Sequence, residues 1–137
     1  MNKLIFTHDC NIGIEIIDSQ HQLLFAIANK LFSIQYPQEQ NDKVLFLLEH
    51  LLNNMTIHFR TEEQILLKYD FPAYTKHKQE HAEILLQIQK ALQCSDCMSK
   101  LLQNLDVLLN KWIKDHILTE DKAFSNWAKS TGLIKKK

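Results

Sequence analysis

The chain has 137 residues, 45% of them hydrophobic, with sixteen basic side chains against sixteen acidic ones. That size and apolar content suit one compact domain over 1–137, and the charge balance leaves no footprint for nucleic acid or an anionic membrane beyond Lys135, Lys136 and Lys137, a tail expected to be solvated. Three cysteines, an odd number, argue against a disulfide framework. The apolar run at 4–6 is too short for a secretory signal, and no stretch reaches the ~20 residues of a membrane span, so the expected compartment is the cytoplasm.

Only two glycines and two prolines occur, whereas leucine-rich segments recur at helical spacing, which predicts an all-α fold. After an N-terminal arm (1–17), a first helix is expected to start with Asp18 or Ser19 as its N-cap. It would present Ile17, His21, Leu24, Ala28 and Leu31, with Phe25 and Phe32 beside them, and stop before Pro37. The second helix should run from Asn41 or Asp42 to about Lys68 with the stripe Val44, Leu48, Leu51, Met55, His58, Glu62 and Ile65. "YDFPAY" breaks it. A third follows Pro72 with His77, His81, Ile84, Ile88 and Ala91 inward, and ends near "QCSDCMS". The fourth carries Leu101, Leu105, Leu108, Trp112 and His116, its pattern resuming as Ile117, Asp121, Phe124 and Ala128. Four helices with short links favour an antiparallel up-down-up-down four-helix bundle over about 18–130.

Polar residues interrupt these stripes in one pattern. His58 and Glu62 are four apart and project together, as do His77 and His81. His21 lies early in the first helix, His58 and Glu62 late in the second, His77 and His81 early in the third, and His116 and Asp121 late in the fourth. In alternating helices those positions form one layer at one end of the molecule. Five imidazoles and two carboxylates buried together would cost several kcal/mol each if left without partners. A bound metal removes that penalty. Seven ligands exceed one tetrahedral zinc site but suit two six-coordinate ions with shared bridges. Imidazole and carboxylate without thiolate point to iron before copper or zinc, and ligand type leaves manganese open. Glu63, ~100° round from Glu62, is expected to be exposed. His116 and Asp121 are five apart, ~140° on an ideal α-helix, so both face inward only if a π-bulge or loosened turn lies between them.

Together "IDSQH" ending at His21, "HFRTEE" beginning at His58, "HKQEH" (77–81) and "WIKDHILTED" (112–121) resemble the hemerythrin family, its single-domain bacterial members in particular. The resemblance spans roughly 6–127. It implies that His77, His81 and His116 hold one iron and His21 and His58 the other. Glu62 and Asp121 would then bridge the pair beside an oxo or hydroxo group. It further implies reversible dioxygen binding at the two-histidine iron, for storage, delivery or sensing, rather than enzymatic turnover. Leu24, Phe59, Trp112, Ile113 and Ile117 resemble the family's oxygen pocket, which keeps water out. Phe6 stands where many relatives have tryptophan, and Asn54 where many have an aromatic residue. The alternative is a di-iron redox enzyme acting on peroxide or nitric oxide; a plain metal-buffering module is a third reading. A monomer is expected, without nucleic-acid or membrane partners, and sensing would require a separate redox or signalling protein. His8 and His50 are read as ordinary polar residues, and Cys94 and Cys97 as incidental thiols or a surface disulfide.

Overall fold

The computed structural model describes residues 4–94 and 97–133. The lysine tail at 135–137 and any pairing that involves the Cys94 side chain therefore lie outside the described residues. Cys97 is a free, exposed thiol.

Four helical rods form the bundle: α1 (Glu15–Phe32), α2 (Asn41–Lys68), α3 (Tyr74–Cys94), and a fourth rod in which α4 (Met98–Trp112) continues through a π-helical stretch (Ile113–Asp121) into α5 (Lys122–Ser130). No strand occurs among the described residues. Neighbouring rods pack pairwise around the bundle, and α1 closes the ring against α4. The up-down-up-down expectation describes this arrangement. The break around Pro37 and the two ends of α2 fall where expected.

The start of α1 differs. The helix begins at Glu15, with Ile14 at the cap position and no side-chain cap. Asp18 is not the N-cap: its carboxylate reaches back, accepting the backbone N–H of Ile12 at 2.8 Å and of Gly13 at 3.1 Å. Gly13 sits at φ 89, a backbone conformation that favours glycine. The helix therefore gains an extra turn, and the acid serves the loop before it.

Two stripe positions also shift. Beyond Glu62 the buried residue of α2 is Leu66, with Ile65 half-buried; on α4, Leu102 and Leu109 are buried while Leu108 is half-buried. A real helix advances 3.6 residues per turn, so an inward line drifts by a residue over several turns.

The main core fills one end with Leu24, Phe25, Leu31, Val44, Leu48, Leu51, Met55, Ile84, Ile88, Leu101, Leu105, Leu109 and their neighbours. A second, smaller cluster holds Ile12, Ile17, Leu66, Phe71, Phe124 and Ala128. The histidine layer thus does not end the molecule, as the sequence pattern suggested; this apolar cap closes the bundle beyond it. Helix endings help to build the cap. At the end of α2, Phe71 N–H reaches Leu66 O at 3.0 Å and Asp70 N–H reaches Leu67 O at 3.1 Å, with Asp70 left-handed at φ 54. This closing turn sets Phe71 beside Leu66. Buried Ser125 donates its hydroxyl to Ile12 O and ties the arm to α5. At the arm's other end, Leu4 and Asn29 exchange two hydrogen bonds of 2.7 and 2.8 Å, and the Phe6 ring meets Phe25 edge-on at 5.4 Å. Asn54 donates to the carbonyl of His50 at 2.8 Å, and His8 and His50 are exposed.

Candidate metal centre

Each rod delivers its polar residues to one layer. His21, His58, Glu62, His77, His81, His116 and Asp121 are all at most 5% exposed. Helical pitch alone brings His58 to Glu62, Nε2 to Oε2 at 3.2 Å, on successive turns of α2. His77 and His81 lie on successive turns of α3 in the same way, their rings edge-on with centroids 5.0 Å apart. On the fourth rod the π-helical stretch widens the turn, as the five-residue spacing required. His116 Nε2 and Asp121 Oδ1 stand 3.2 Å apart across it.

The ring nitrogens converge on the two carboxylates from opposite sides. Glu62 Oε1 meets His77 Nε2, and lies 3.4 Å from His81 Nε2 and 3.5 Å from His116 Nε2, while its Oε2 faces His58. Asp121 divides likewise, Oδ1 lying 2.8 Å from His77 Nε2 and Oδ2 3.4 Å from His21 Nε2. Two overlapping groups result: Glu62 with His77, His81 and His116, and His21 and His58 with both carboxylates. Within each, one ligand atom per residue lies within 4.8 Å of every other.

Hydrogen bonds on the outer ring edges decide which nitrogen faces inward. Gln20 Nε2 donates to Thr61 Oγ1 at 3.3 Å, which leaves Gln20 Oε1 to accept the Nδ1–H of His58 at 2.9 Å. His81 donates Nδ1–H to Glu63 Oε2 at 2.8 Å. Glu63 is thus not merely exposed, as its angle on α2 suggested; α3 packs on that flank. With Nδ1 protonated, the Nε2 of neutral His58 is a lone pair aimed at a carboxylate oxygen, whereas the Nε2 of His81 can accept from a protonated His116 Nε2 at 2.9 Å. Acceptors cannot satisfy one another. In the layer His21 Nδ1 and Nε2, His58 Nε2, His77 Nδ1, Glu62 Oε2 and Asp121 Oδ2 are buried without a hydrogen-bond partner. Protons or cations must lie between them, and the donor set fits divalent cations.

Protons do part of this work in the metal-free chain. Burial acts to lower the His77 pKa, yet hydrogen bonds to Asp121 and Glu62 raise it from 6.5 to about 9. Burial likewise opposes charge on His116, but Asp121 and Glu62 hold its pKa well above the usual value. Burial would raise the Glu62 carboxyl, and the four imidazoles around it, His116, His58, His77 and His81, instead hold it well below the usual carboxylate range. His58 goes the other way, because desolvation outweighs Glu62. A raised histidine pKa stabilises the fold fully below the unfolded value and loses that stabilisation as the pH climbs through the folded value. The metal-free protein is therefore expected to lose stability as the pH rises from 6.5 through about 9. Urea unfolding across that range checks this, and stability that climbs instead would contradict the proton assignment.

Apolar rings wall the layer. Phe59 lies parallel to His81 at 4.0 Å and 6.2 Å from Trp112, which meets His21 edge-on at 5.9 Å. Leu24 and Ile117 are buried and Ile113 half-buried. No described helix is long and apolar enough to cross a membrane.

The family model described as the hemerythrin HHE cation binding domain matches residues 12–128. Among similar proteins, the bacteriohemerythrin of Stenotrophomonas maltophilia (strain R551-3) is 28% identical, the match covering 95% of this chain and 84% of the relative. That of Clostridium acetobutylicum is 26% identical over 88% of this chain and 97% of the relative. That of Pseudomonas aeruginosa (strain LESB58) is 24% identical over 90% and 80%. A cation-binding family pattern that runs through all four rods, over a layer whose buried lone pairs call for cations, makes this chain a member of the hemerythrin family.

Proposed function

We propose that the protein binds two irons in this layer and takes up dioxygen reversibly. The observation that carries the reading is the division of each carboxylate: Glu62 and Asp121 both turn one oxygen to the three-histidine side and the other to the two-histidine side. Carboxylates so placed suit bridging of two ions, with His77, His81 and His116 holding one and His21 and His58 the other, beside an oxo or hydroxo bridge. His77, His81 and His116 with the two carboxylates would offer one ion five side-chain ligands, and His21 and His58 with the same carboxylates would offer the other four. When bound, the iron pair supplies the electrons and the open coordination site that dioxygen binding needs.

The chain's own residues supply the rest. Phe59 and Trp112 set apolar rings against His81 and His21, and Leu24, Ile113 and Ile117 would complete an apolar wall that keeps water and protons out of the site. Trp112 also holds its indole N–H buried without a partner next to this wall, a donor that any polar guest in the pocket could use. Five neutral imidazoles against two carboxylates make a less anionic set than the ~four glutamates of oxidase-type di-iron bundles, which favours binding over oxidation.

The test is anaerobic loading with ferrous iron, with metal counted per chain and the visible spectrum recorded before air, after air and after the gas is swept out. Two irons and a visible band that comes and goes with oxygen are expected. Conversion to a stable ferric form that turns over with a reductant and peroxide or nitric oxide would make the protein a redox enzyme instead, and failure to hold an iron pair would end the reading altogether.

A further inference from the structure

Among the acids of the motifs that are not ligands, two face ligand histidines: the second glutamate of "HFRTEE" and the glutamate of "HKQEH". Glu63 Oε2 accepts from His81 Nδ1 at 2.8 Å, and Glu80 Oε2 stands 3.4 Å from His116 Nδ1. Both histidines belong to the three-histidine group. The other group is served differently. His58 donates to the neutral amide of Gln20, and His21 Nδ1 has no partner at all. The outer partners thus differ in charge between the two sides: two of the three histidines on one side face carboxylates, with His77 Nδ1 unpartnered, while the other side has one neutral amide and no anion.

We propose that Glu63 and Glu80 are positioning residues that make the two cation sites unequal, so that the three-histidine site binds its ion more tightly and releases it last. The inference rests on the two-ion reading above. A carboxylate that accepts Nδ1–H draws the proton outward and raises the electron density at Nε2, the nitrogen that meets the metal. Bonds with an ionised partner are roughly twice as strong as neutral ones, so an amide does this less. Glu63 also locks its ring through a hydrogen bond, and Glu80 sets its charge 3.4 Å from His116 Nδ1. His81 is clamped between Glu63 at its outer edge and the parallel Phe59 ring on its face, so Nε2 is held toward Glu62 without the metal's help. Glu80 is in turn held by Lys76, 3.9 Å from its Oε1, and Lys76 also reaches Glu120 at 3.6 Å. On the two-histidine side the outer-edge hydrogen bond runs to the neutral Gln20–Thr61 link rather than to a carboxylate.

The probe is ferrous iron itself, loaded anaerobically to two per chain and then withdrawn by a coloured iron chelator in excess. Wild-type protein is expected to release iron in two phases of equal amplitude. Glu63→Ala should speed the slow phase ~10–100-fold, the usual effect of losing such a partner, and leave the fast phase in place. Gln20→Ala should speed the fast phase only. Glu63→Gln keeps an acceptor oxygen without the charge and should recover part of the wild-type rate, a rescue that a general loosening of the fold would not show. Glu63 and Glu80 side chains are 19% and 31% exposed, so shortening them leaves the core filled; equal melting of the metal-free variants confirms that. Release in a single phase, or variants that speed both phases alike, overturns this inference while leaving two irons per chain intact. Wild-type chain that never holds two irons overturns the reading beneath it.

Discussion

Replacing Glu62 with alanine is expected to strip most of the bound iron from the protein. Its Oε1 faces three imidazoles and its Oε2 a fourth, so one truncation removes a ligand from both groups. Two ferrous ions would then be left in a layer with a single anionic side chain, Asp121, itself fully buried. Removing one partner from a buried charge network costs on the order of 3–5 kcal/mol, and each 1.4 kcal/mol is about tenfold in affinity. Binding should therefore weaken by about two to three orders of magnitude. Asp121→Ala should act in the same direction, since its two oxygens also divide between the groups. Iron per chain after anaerobic loading and desalting measures this. Both variants retaining two irons would remove the bridging assignment.

The second large effect is expected at a residue that is not a ligand, in the apolar cap beside the layer. Phe124→Ala should lower stability by about 3–5 kcal/mol, a large share of the ~5–15 kcal/mol typical of a folded domain. Phe124 is 1% exposed and meets Phe71 edge-on at 5.1 Å and Trp127 at 6.2 Å. The cap cluster has few members, so a missing ring leaves a cavity that little else can fill. Phe71 lies 6.5 Å from His77, which places the loosened cap directly against the metal layer. Phe46→Ala is the control, because that ring is 68% exposed and should cost little. Urea unfolding of the metal-free and iron-loaded forms provides the comparison. Equal costs for the two variants would mean that the cap is not a packed core.

The residues of the layer were legible because helical pitch is a local rule. Residues four apart share a face, and the five-residue step from His116 to Asp121 could be reconciled with an inward pair only by a wider turn, which the structure contains. The limits of α2 were legible for a similar reason, since proline and the "YDFPAY" break act on their immediate neighbours. What escaped depends on contacts between distant segments. The cap joins Ile12 from the arm, Phe71 from a turn and Phe124 from α5, and no periodicity links three such positions. Glu63 lay off its helix's inward line, and only the packing of α3 on that flank gave it a histidine to hold. Asp18 has the composition of a cap, but its carboxylate found donors before the helix rather than within it.

The π-helical stretch has a consequence for changes in chain length. From α4 into the wide turn the buried line runs Leu105, Leu109, Trp112, His116, and from the end of that turn into α5 it runs Asp121, Phe124, Ala128. Each keeps the three-four rhythm of an α-helix, and the extra residue between them is absorbed where the turn widens, which also leaves Ile117 facing inward. A residue inserted or deleted within α4 or α5 would turn one apolar core ~100° against the other and would tear the rod from one of its two anchors. A deletion at exposed Thr119, inside the wide turn, would instead let the rod close into an unbroken α-helix with both lines still inward. The fourth rod thus tolerates a change of length at one place, and that place is the metal layer.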